Sequence, residues 1–379
     1  MAGQGKVAAG YGTNQTRRRS AIWADRVLED SPSMLCLLRF GFSMFVVLAH
    51  LAEGTRFLSH WGVFSVFGFY VISGYLMALV LNDTYSFRFA EFALNRGLRL
   101  FPAYLAVALL TLLALWLQPG AGAFHSGWKP APGARDLLAN ALIIPFEFVD
   151  SPFRLIPPAW SVAAELINYF LLWLIVARSR QLALAAVLLS LAFHAWSVMQ
   201  GAHWEARYFP YYAALLPFSL GACLYFHRSA LAKLDERLVR ALIFAASLAW
   251  CANLVLCGLD SSLWGRSFDR YFYFNLAALL VIVGGISALP ARARPARAAR
   301  FEKWLGDLAY PVFLSHWLVG FEVNRLLGGA SRGLLLFAVS VIPMLALSIA
   351  LIRLEAIWIA PLRDRIRRRA RPLGVLQPA

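Results

Sequence analysis

Arg39 and His50 are two ionisable residues inside a stretch, 34–53, that is otherwise apolar enough to cross a lipid bilayer. An intramembrane charge costs at least ~3 kcal/mol on insertion scales, so it often marks a functional site. The two residues are eleven positions apart, so on a helix they share one face, roughly 16 Å apart along the axis. A guanidinium at such a depth can bind an anion, and an imidazole can accept a proton. A snorkelling arginine and a structural histidine are the alternative.

Arg96 and Arg99 form a second candidate pair, at the predicted inner entry to a later apolar segment, 98–117. Residues three apart lie on one helix face. Two guanidinium groups at this level suit the phosphates of a cytosolic ligand. Ordinary positive charge flanking a membrane span is the alternative.

Glu165 lies about a turn and a half into another apolar segment, 160–177, at a depth similar to that of His50. A carboxylate bonded to one imidazole nitrogen fixes the tautomer and makes the other nitrogen a better base. The sequence therefore predicts a Glu165–His50 pair, with a purely structural pair as the alternative. Other candidate pocket residues in or near the spans are Ser73, Trp160, Ser161, Tyr310 and His316.

The composition indicates a protein that crosses the membrane several times. Of 379 residues, 60% are apolar and only 15% are charged, whereas soluble domains carry about 25% charged residues. The four cysteines have no C-x-x-C or metal-ligand spacing, so we expect buried free thiols and no metal.

Ten apolar segments predict an all-α bundle of about ten transmembrane helices. The segments are 34–53, 61–81, 98–117, 160–177, 181–199, 209–226, 238–257, 271–289, 308–327 and 333–354. With both termini cytoplasmic, 25 of the 36 Lys and Arg residues fall in inner connections and nine in outer ones. The positive-inside rule favours this topology. The net charge of +16 is then explained by topology and anionic lipid heads, and nucleic-acid binding is not expected.

The spans divide the chain into three parts. Residues 1–33 are predicted as a polar, basic cytoplasmic segment, 34–360 as one transmembrane domain, and 361–379 as a basic cytoplasmic tail without fixed structure. The connection at about 118–159 contains seven prolines. We expect it to pack on the outer mouth of the bundle, partly as a short helix near 136–145.

Five motifs, in this order, resemble the acyltransferase 3 family of multi-pass bacterial membrane acyltransferases. The first is the Arg39…His50 spacing itself. The others are FGFYVISGYL at 67–76, NRGLRLFP at 95–102, AWSVAAE at 159–165 and LGDLAYPVFLSH at 305–316. Ala309 stands where the family commonly has serine. The sequence contains no G-D-S block, the motif that would indicate a fused SGNH domain.

The resemblance implies an acyl-CoA-dependent O-acyltransferase of the bacterial cytoplasmic (inner) membrane. Such proteins transfer an acyl group, usually acetyl, from cytosolic acyl-CoA to an acceptor at the outer face. Arg39, Arg96 and Arg99 would bind the donor, and His50 with Glu165 would be catalytic. The histidine could act as general base or as an acyl carrier, and the sequence does not separate the two.

The acceptor that such a family implies is an extracytoplasmic carbohydrate or lipid-linked glycan, such as O-antigen, capsule or exopolysaccharide. A macrolide or a lipid is an alternative acceptor. Tryptophans near the predicted outer side could stack on sugar faces, although aromatic belts also place tryptophan there; they are Trp61, Trp128, Trp160, Trp204 and Trp264. A secondary transporter is the competing class, because intramembrane Arg, His and Glu are equally expected in one.

Overall fold

The computed structural model describes residues 33–52, 57–129, 131–149, 153–260, 268–290, 295–329 and 332–370. Within these ranges the chain forms helices and no strand, as predicted. The described α-helices are α1 (Ser33–Leu51), α2 (Ser59–Val80), α3 (Phe89–Leu117), α4 (Ala134–Leu142), α5 (Ala159–Leu174), α6 (Arg180–Met199), α7 (Tyr211–Leu231), α8 (Glu236–Leu259), α9 (Phe268–Ala288), α10 (Ala296–Leu326), α11 (Leu334–Leu354) and α12 (Ala360–Ala370).

Seven of the described helices are long and apolar enough to cross a membrane, namely α1, α2, α3, α6, α8, α9 and α11. Helix α5 is also apolar but has only 16 residues. Helices α7 and α10 coincide with the remaining two predicted segments. An all-helical membrane bundle is therefore confirmed, while the count of ten crossings and the cytoplasmic placement of both termini stay predictions.

Helix α2 lies at the centre of the bundle and contacts α1, α5, α7 and α9. Two glycines allow its close approach to α7. A Cβ atom on Gly74 would lie 2.1 Å from the carbonyl oxygen of Phe218, and one on Gly221 would lie 2.2 Å from that of Val71. Small residues let membrane helices pack backbone to backbone. The pair fixes the position of Ser73, which precedes Gly74 on α2.

A proline inside α7 explains one buried histidine. Pro217 has no amide hydrogen, so the carbonyl of Ala213 loses its partner within the helix. The Nε2 atom of His194, on α6, lies 3.1 Å from that oxygen, and its Nδ1 lies 2.9 Å from the hydroxyl of Tyr273. His194 therefore ties three helices together and has a structural role.

Two helices begin earlier than their apolar segments. Helix α3 begins at Phe89 rather than near 98, and α10 begins at Ala296 rather than near 308. Hydropathy marks only the apolar part of a helix, whereas backbone hydrogen bonding continues through the polar turns before it. Arg96 and Arg99 consequently lie within α3, three positions apart on one face.

The C-terminal segment corrects the expectation of a tail without fixed structure, because residues up to Ala370 form α12. The Nδ2 atom of Asn95 donates to the carbonyl of Arg363 (3.1 Å), and Arg88 donates to the carbonyl of Arg369 (2.8 Å). These bonds dock α12 on the start of α3. The predicted segment 1–32 and residues 371–379 lie outside the described residues.

The connection between α3 and α5 is packed against the bundle. The short helix expected near 136–145 is found as α4, followed by a 3-10 turn over Ile144–Glu147. The amide of Leu155 donates to Oδ1 of Asn140 (2.7 Å), and the indole of Trp128 donates to the carbonyl of Arg154 (2.9 Å). Side-chain bonds to the backbone thus fold this proline-rich segment onto itself.

Candidate active site

A cavity with an empty volume of about 470 Å³ lies between α1, α2, α5 and α10. Five of the ten predicted site residues line it: Arg39, Ser73, Ser161, Glu165 and Tyr310. The remaining lining residues are apolar or aromatic, apart from the phenol of Tyr70. Helices far apart in the sequence thus bring a cation, a carboxylate and hydroxyl groups to one intramembrane space.

The carboxylate of Glu165 is held by two hydroxyl groups. Ser73 on α2 donates to its Oε1 (3.0 Å), and the phenol of Tyr169, one turn further along α5, donates to the same oxygen. Ser161 donates to the carbonyl of Pro158 (2.8 Å) at the start of α5. Glu165 is therefore positioned by α2 and by its own helix.

Arg39 contributes the positive charge of the cavity. Its guanidinium is within electrostatic range of Glu165, Tyr169 and Arg99. The described residues give it no hydrogen bond or ion pair. A largely buried guanidinium whose five donors are not engaged by the protein is suited to bind an anionic or carbonyl oxygen of a ligand.

His50 forms a coplanar, hydrogen-bonded pair with His316 of α10. The Nδ1 atom of His50 lies 2.9 Å from Nε2 of His316, and the ring planes are 6° apart with centroids separated by 5.1 Å. The Nδ1 atom of His316 lies 2.7 Å from the carbonyl oxygen of Phe313. A carbonyl can only accept, so Nδ1 of His316 carries its hydrogen and Nε2 accepts from His50. Nε2 of His50 is thereby left with a free lone pair, available as a base or a nucleophile.

The predicted pairing of Glu165 with His50 is replaced by this histidine pair. Helix α1 packs along α10, whereas α5 packs on α2, so His316 reaches His50 and Glu165 reaches Ser73. Glu165 lies near Arg39, at the other end of the face that the two α1 residues share. Similar depth in two spans did not imply contact, because the order of the helices in the bundle decides which spans meet.

Arg96 and Arg99 lie beyond Arg39, at the end of the bundle where α12 docks. Arg99 Nη2 lies 3.3 Å from Oδ1 of Asp307, at a distance that permits a hydrogen bond. The Nε atom of Arg96 is buried and has no hydrogen-bond partner among the described residues. Arg39 and Arg99 are within electrostatic range of each other, so the basic groups form a continuous series from this end into the cavity.

Trp317 packs beside His50 and is itself surrounded by aromatic side chains. The ring centroid of Trp317 lies 5.4 Å from that of His50, and the centroid of His125 lies 4.8 Å from that of Trp317. Trp128 and Phe124 pack beside them. Burial lowers the pKa of His125 to about 4, assisted by Arg332 and Arg154, so this imidazole is neutral at pH 7. The connection between α3 and α5 therefore brings aromatic side chains close to the histidine pair.

Trp160 and Tyr310 have different surroundings. Trp160 packs on Tyr208 and Phe209, with ring centroids at 5.0 and 4.6 Å, and does not line the cavity. Tyr310 donates to the carbonyl of Leu100 (3.1 Å) and so ties α10 to α3 beside the cavity. Trp264, one of the predicted outer tryptophans, lies outside the described residues.

Other intramembrane polar groups are accounted for by helix packing. His60 bonds to the carbonyl of Leu254 (2.9 Å), and the indole of Trp250 donates to Asn275 (2.6 Å). Across the described residues there is no group of three or more His, Cys, Asp or Glu that could hold a metal ion.

Sequence reasoning missed Tyr169 and Arg363. Tyr169 follows Glu165 by four positions, a spacing that places both on one face and could have been used. Arg363 lies near Arg96 and Arg99 only because α12 docks on α3, and no sequence spacing signals that contact.

Comparison with known proteins assigns the family. The acyltransferase domain family model (Acyl_transf_3) matches residues 35–353. The chain is similar to an uncharacterized protein of Aquifex aeolicus (strain VF5), with 28% identity over 186 residues, which is 48% of this chain and 77% of that protein. No solved structure matches the chain. With a match that spans most of its helical bundle, the chain belongs to the acyltransferase 3 family of membrane acyltransferases.

Proposed function

We propose that the protein transfers an acyl group, most simply acetyl, from cytosolic acyl-CoA to a hydroxyl of an extracytoplasmic carbohydrate in the bacterial inner membrane. The observation that carries this proposal is the order of groups along the bundle. Arg96 and Arg99 lie at one end, Arg39 lies in the cavity, and His50 lies at the start of an aromatic region. A donor with phosphates at one end and a thioester at the other fits that order.

The basic groups support an acyl-CoA donor. Guanidinium groups bind phosphates with paired hydrogen bonds, and Arg96 retains a buried donor atom without a protein partner. Arg39 has no hydrogen bond or ion pair within the described residues and borders the cavity. It would donate hydrogen bonds to the pantetheine arm of the donor, which runs from the phosphates toward His50.

His50 would act as the general base. Its Nε2 atom takes the proton of the acceptor hydroxyl while the oxygen attacks the thioester carbon. When the carbon–sulfur bond breaks, CoA leaves as a thiolate and takes up that proton from Nε2. His316 holds the hydrogen of His50 on Nδ1, which keeps Nε2 unprotonated before the reaction. An acyl-histidine intermediate would use the same nitrogen as nucleophile.

Glu165 would act on donor binding in the cavity and not on His50. It lies in the electrostatic range of Arg39 and is held by Ser73 and Tyr169. A fixed carboxylate at this place orients the guanidinium toward the donor. This makes Glu165 a positioning residue for the donor in our proposal.

The aromatic region supports a carbohydrate acceptor. Trp317 packs beside His50, and Trp128, Phe124 and His125 pack on Trp317. Sugars present apolar faces that can stack on such rings. A lipid-linked glycan could enter this region from the surrounding membrane. A lipid or macrolide acceptor would use the same apolar contacts, so the acetylated product decides between them.

The proposal is tested with the purified full chain in liposomes, supplied with acetyl-CoA labelled in the acetyl group and with extracts of surface glycans. We expect CoA release and label in the glycan fraction. A transporter would leave acetyl-CoA intact, and that result would overturn the proposal. Label in lipid or macrolide instead would keep the transfer reaction and replace the acceptor.

A further inference from the structure

Helix α12 closes the end of the bundle at which Arg96 and Arg99 lie. The fully buried amide of Asn95 donates to the backbone carbonyl of Arg363 (3.1 Å), and Arg88 donates to that of Arg369 (2.8 Å). Both bonds use backbone oxygens of α12. These two contacts therefore do not depend on the side chains of α12, which lies beyond residues 35–353, the range that matches the family.

The side chain of Arg363 turns toward the other arginines. Its Nε lies 3.5 Å from Oδ1 of Asn95, next to Arg96 in the sequence. Burial, together with the charges of Arg99, Arg96 and Arg367, lowers the pKa of Arg363 to about 9, and Glu355 opposes this effect. By contrast, Arg365 and Arg368 of the same helix are exposed.

Positive charge exceeds negative charge in this cluster. Asp307 pairs with Arg99, Asp364 lies 3.6 Å from Arg367, and Glu355 is near Arg99 and Arg363. Arg96 has no ion pair within the described part of the chain, and its buried Nε atom has no hydrogen-bond partner there. Cations held close together without enough carboxylates are stabilised by a bound polyanion.

We infer that Arg363 is a third phosphate-binding residue for the acyl donor, supplied by a helix outside the matched family domain. This rests on the proposed acyl-CoA-dependent function. The ligand class is a nucleotide thioester with several phosphates, and Arg96, Arg99 and Arg363 would each bind phosphate oxygens at the inner mouth. The phosphate of an anionic lipid offers the same chemistry from another source.

The test compares two variants of the full chain in neutral detergent, with isothermal titration of acetyl-CoA. Arg363→Gln removes the charge but retains the backbone carbonyl to which Asn95 donates, so α12 stays docked. Arg365→Gln makes the same charge change on the exposed side of that helix. We expect binding about tenfold or more weaker for Arg363→Gln and unchanged for Arg365→Gln.

Two further measurements complete the experiment. One uses a competing donor that lacks phosphates, and the other adds an anionic lipid. Competition by S-acetylpantetheine should be unaffected by Arg363→Gln, because this donor lacks phosphates. Adding phosphatidylglycerol to the micelles should leave wild-type binding of acetyl-CoA unchanged. If the lipid instead displaces acetyl-CoA from the wild type and not from Arg363→Gln, a lipid headgroup occupies the site and the inference is overturned.

The remaining outcomes separate this inference from the function on which it rests. Equal acetyl-CoA binding by the wild type and Arg363→Gln overturns the role of Arg363 and leaves the proposed function intact. Equal weakening by both variants shows a general effect of charge and also overturns it. A wild type that binds no acetyl-CoA overturns the proposed donor itself. Thermal unfolding of each variant verifies that its fold is retained.

Discussion

At the scale of single residues, the direction of one hydrogen bond decides what His50 can do. The carbonyl of Phe313 fixes the hydrogen of His316 on Nδ1, and His316 in turn fixes the hydrogen of His50 on Nδ1. In a carboxylate–histidine pair the partner would carry a negative charge and stabilise an imidazolium. Here the partner is neutral, so His316 orients His50 and selects its tautomer.

His316 is therefore predicted to be a positioning residue. Replacing it with leucine removes the acceptor for Nδ1–H of His50 and should lower kcat for acetyl transfer about 10–100-fold. Replacing it with glutamine supplies an amide oxygen as acceptor and should retain most of the activity. The KM for acetyl-CoA should be unchanged in both variants. Equal kcat values for the leucine and glutamine variants would contradict the tautomer argument.

Arg96 and Arg99 are predicted to act on donor binding. Changing both to glutamine should raise the KM for acetyl-CoA while kcat at saturating donor changes little, because phosphate contacts are made equally in the ground state and the transition state. The matched control is the double change Lys233→Gln and Arg237→Gln, two exposed cations of another predicted inner connection. If the KM rises equally in both double variants, Arg96 and Arg99 have no specific role in donor binding and only supply the positive charge that orients the chain in the membrane.

At the scale of helices, the contact of α2 with α7 holds Ser73 and hence Glu165 in place. A Cβ atom at Gly74 would meet a backbone oxygen of α7 at 2.1 Å, and backbone cannot move aside as a flexible side chain can. Gly74→Ala should therefore destabilise the fold by about 1–3 kcal/mol, the usual cost of overpacking. Thermal unfolding in detergent measures it.

Gly41 in α1 is the matched control, since an added Cβ would meet no atom within 4 Å. Gly41→Ala should be neutral or stabilising by up to about 1 kcal/mol, because alanine favours helix more than glycine does. If Gly74→Ala unfolds at the same temperature as Gly41→Ala, the close packing of α2 on α7 is wrong.

The connection between α3 and α5 should respond to pH through Glu147. Burial raises the pKa of Glu147 to about 7, although the amide of Tyr211 donates to it (2.9 Å). The folded state thus favours the protonated acid more than the unfolded state does. This contribution to stability is complete below the unfolded pKa, near 4.5, and is lost as the pH rises to about 7.

Glu147→Gln, which is neutral at every pH, should remove this part of the pH dependence. Unfolding temperatures of the two proteins are compared between these pH values. A wild type whose stability rises with pH over the same interval, relative to the variant, would contradict the assigned burial of Glu147.

At the scale of the whole molecule, the sequence predicted the positions of the helices along the chain better than the contacts between them. Apolar runs located a helix at each of ten segments, and four of the five motifs contain Arg39, Ser73, Ser161, Glu165 and Tyr310, all of which line one cavity. The partner of His50 was not predictable, because spacing along a helix does not state which helix packs beside it. Docking of α12 was not predicted either, because its charged sequence gives no hydropathy signal.

The central claim is that Nε2 of His50 performs acyl transfer. It is tested most directly with wild type and His50→Gln in liposomes, following release of CoA from acetyl-CoA in the presence of glycan acceptor. We expect that His50→Gln, correctly inserted and still binding acetyl-CoA, loses about 10²–10⁴-fold in kcat. Full activity of that variant would contradict it.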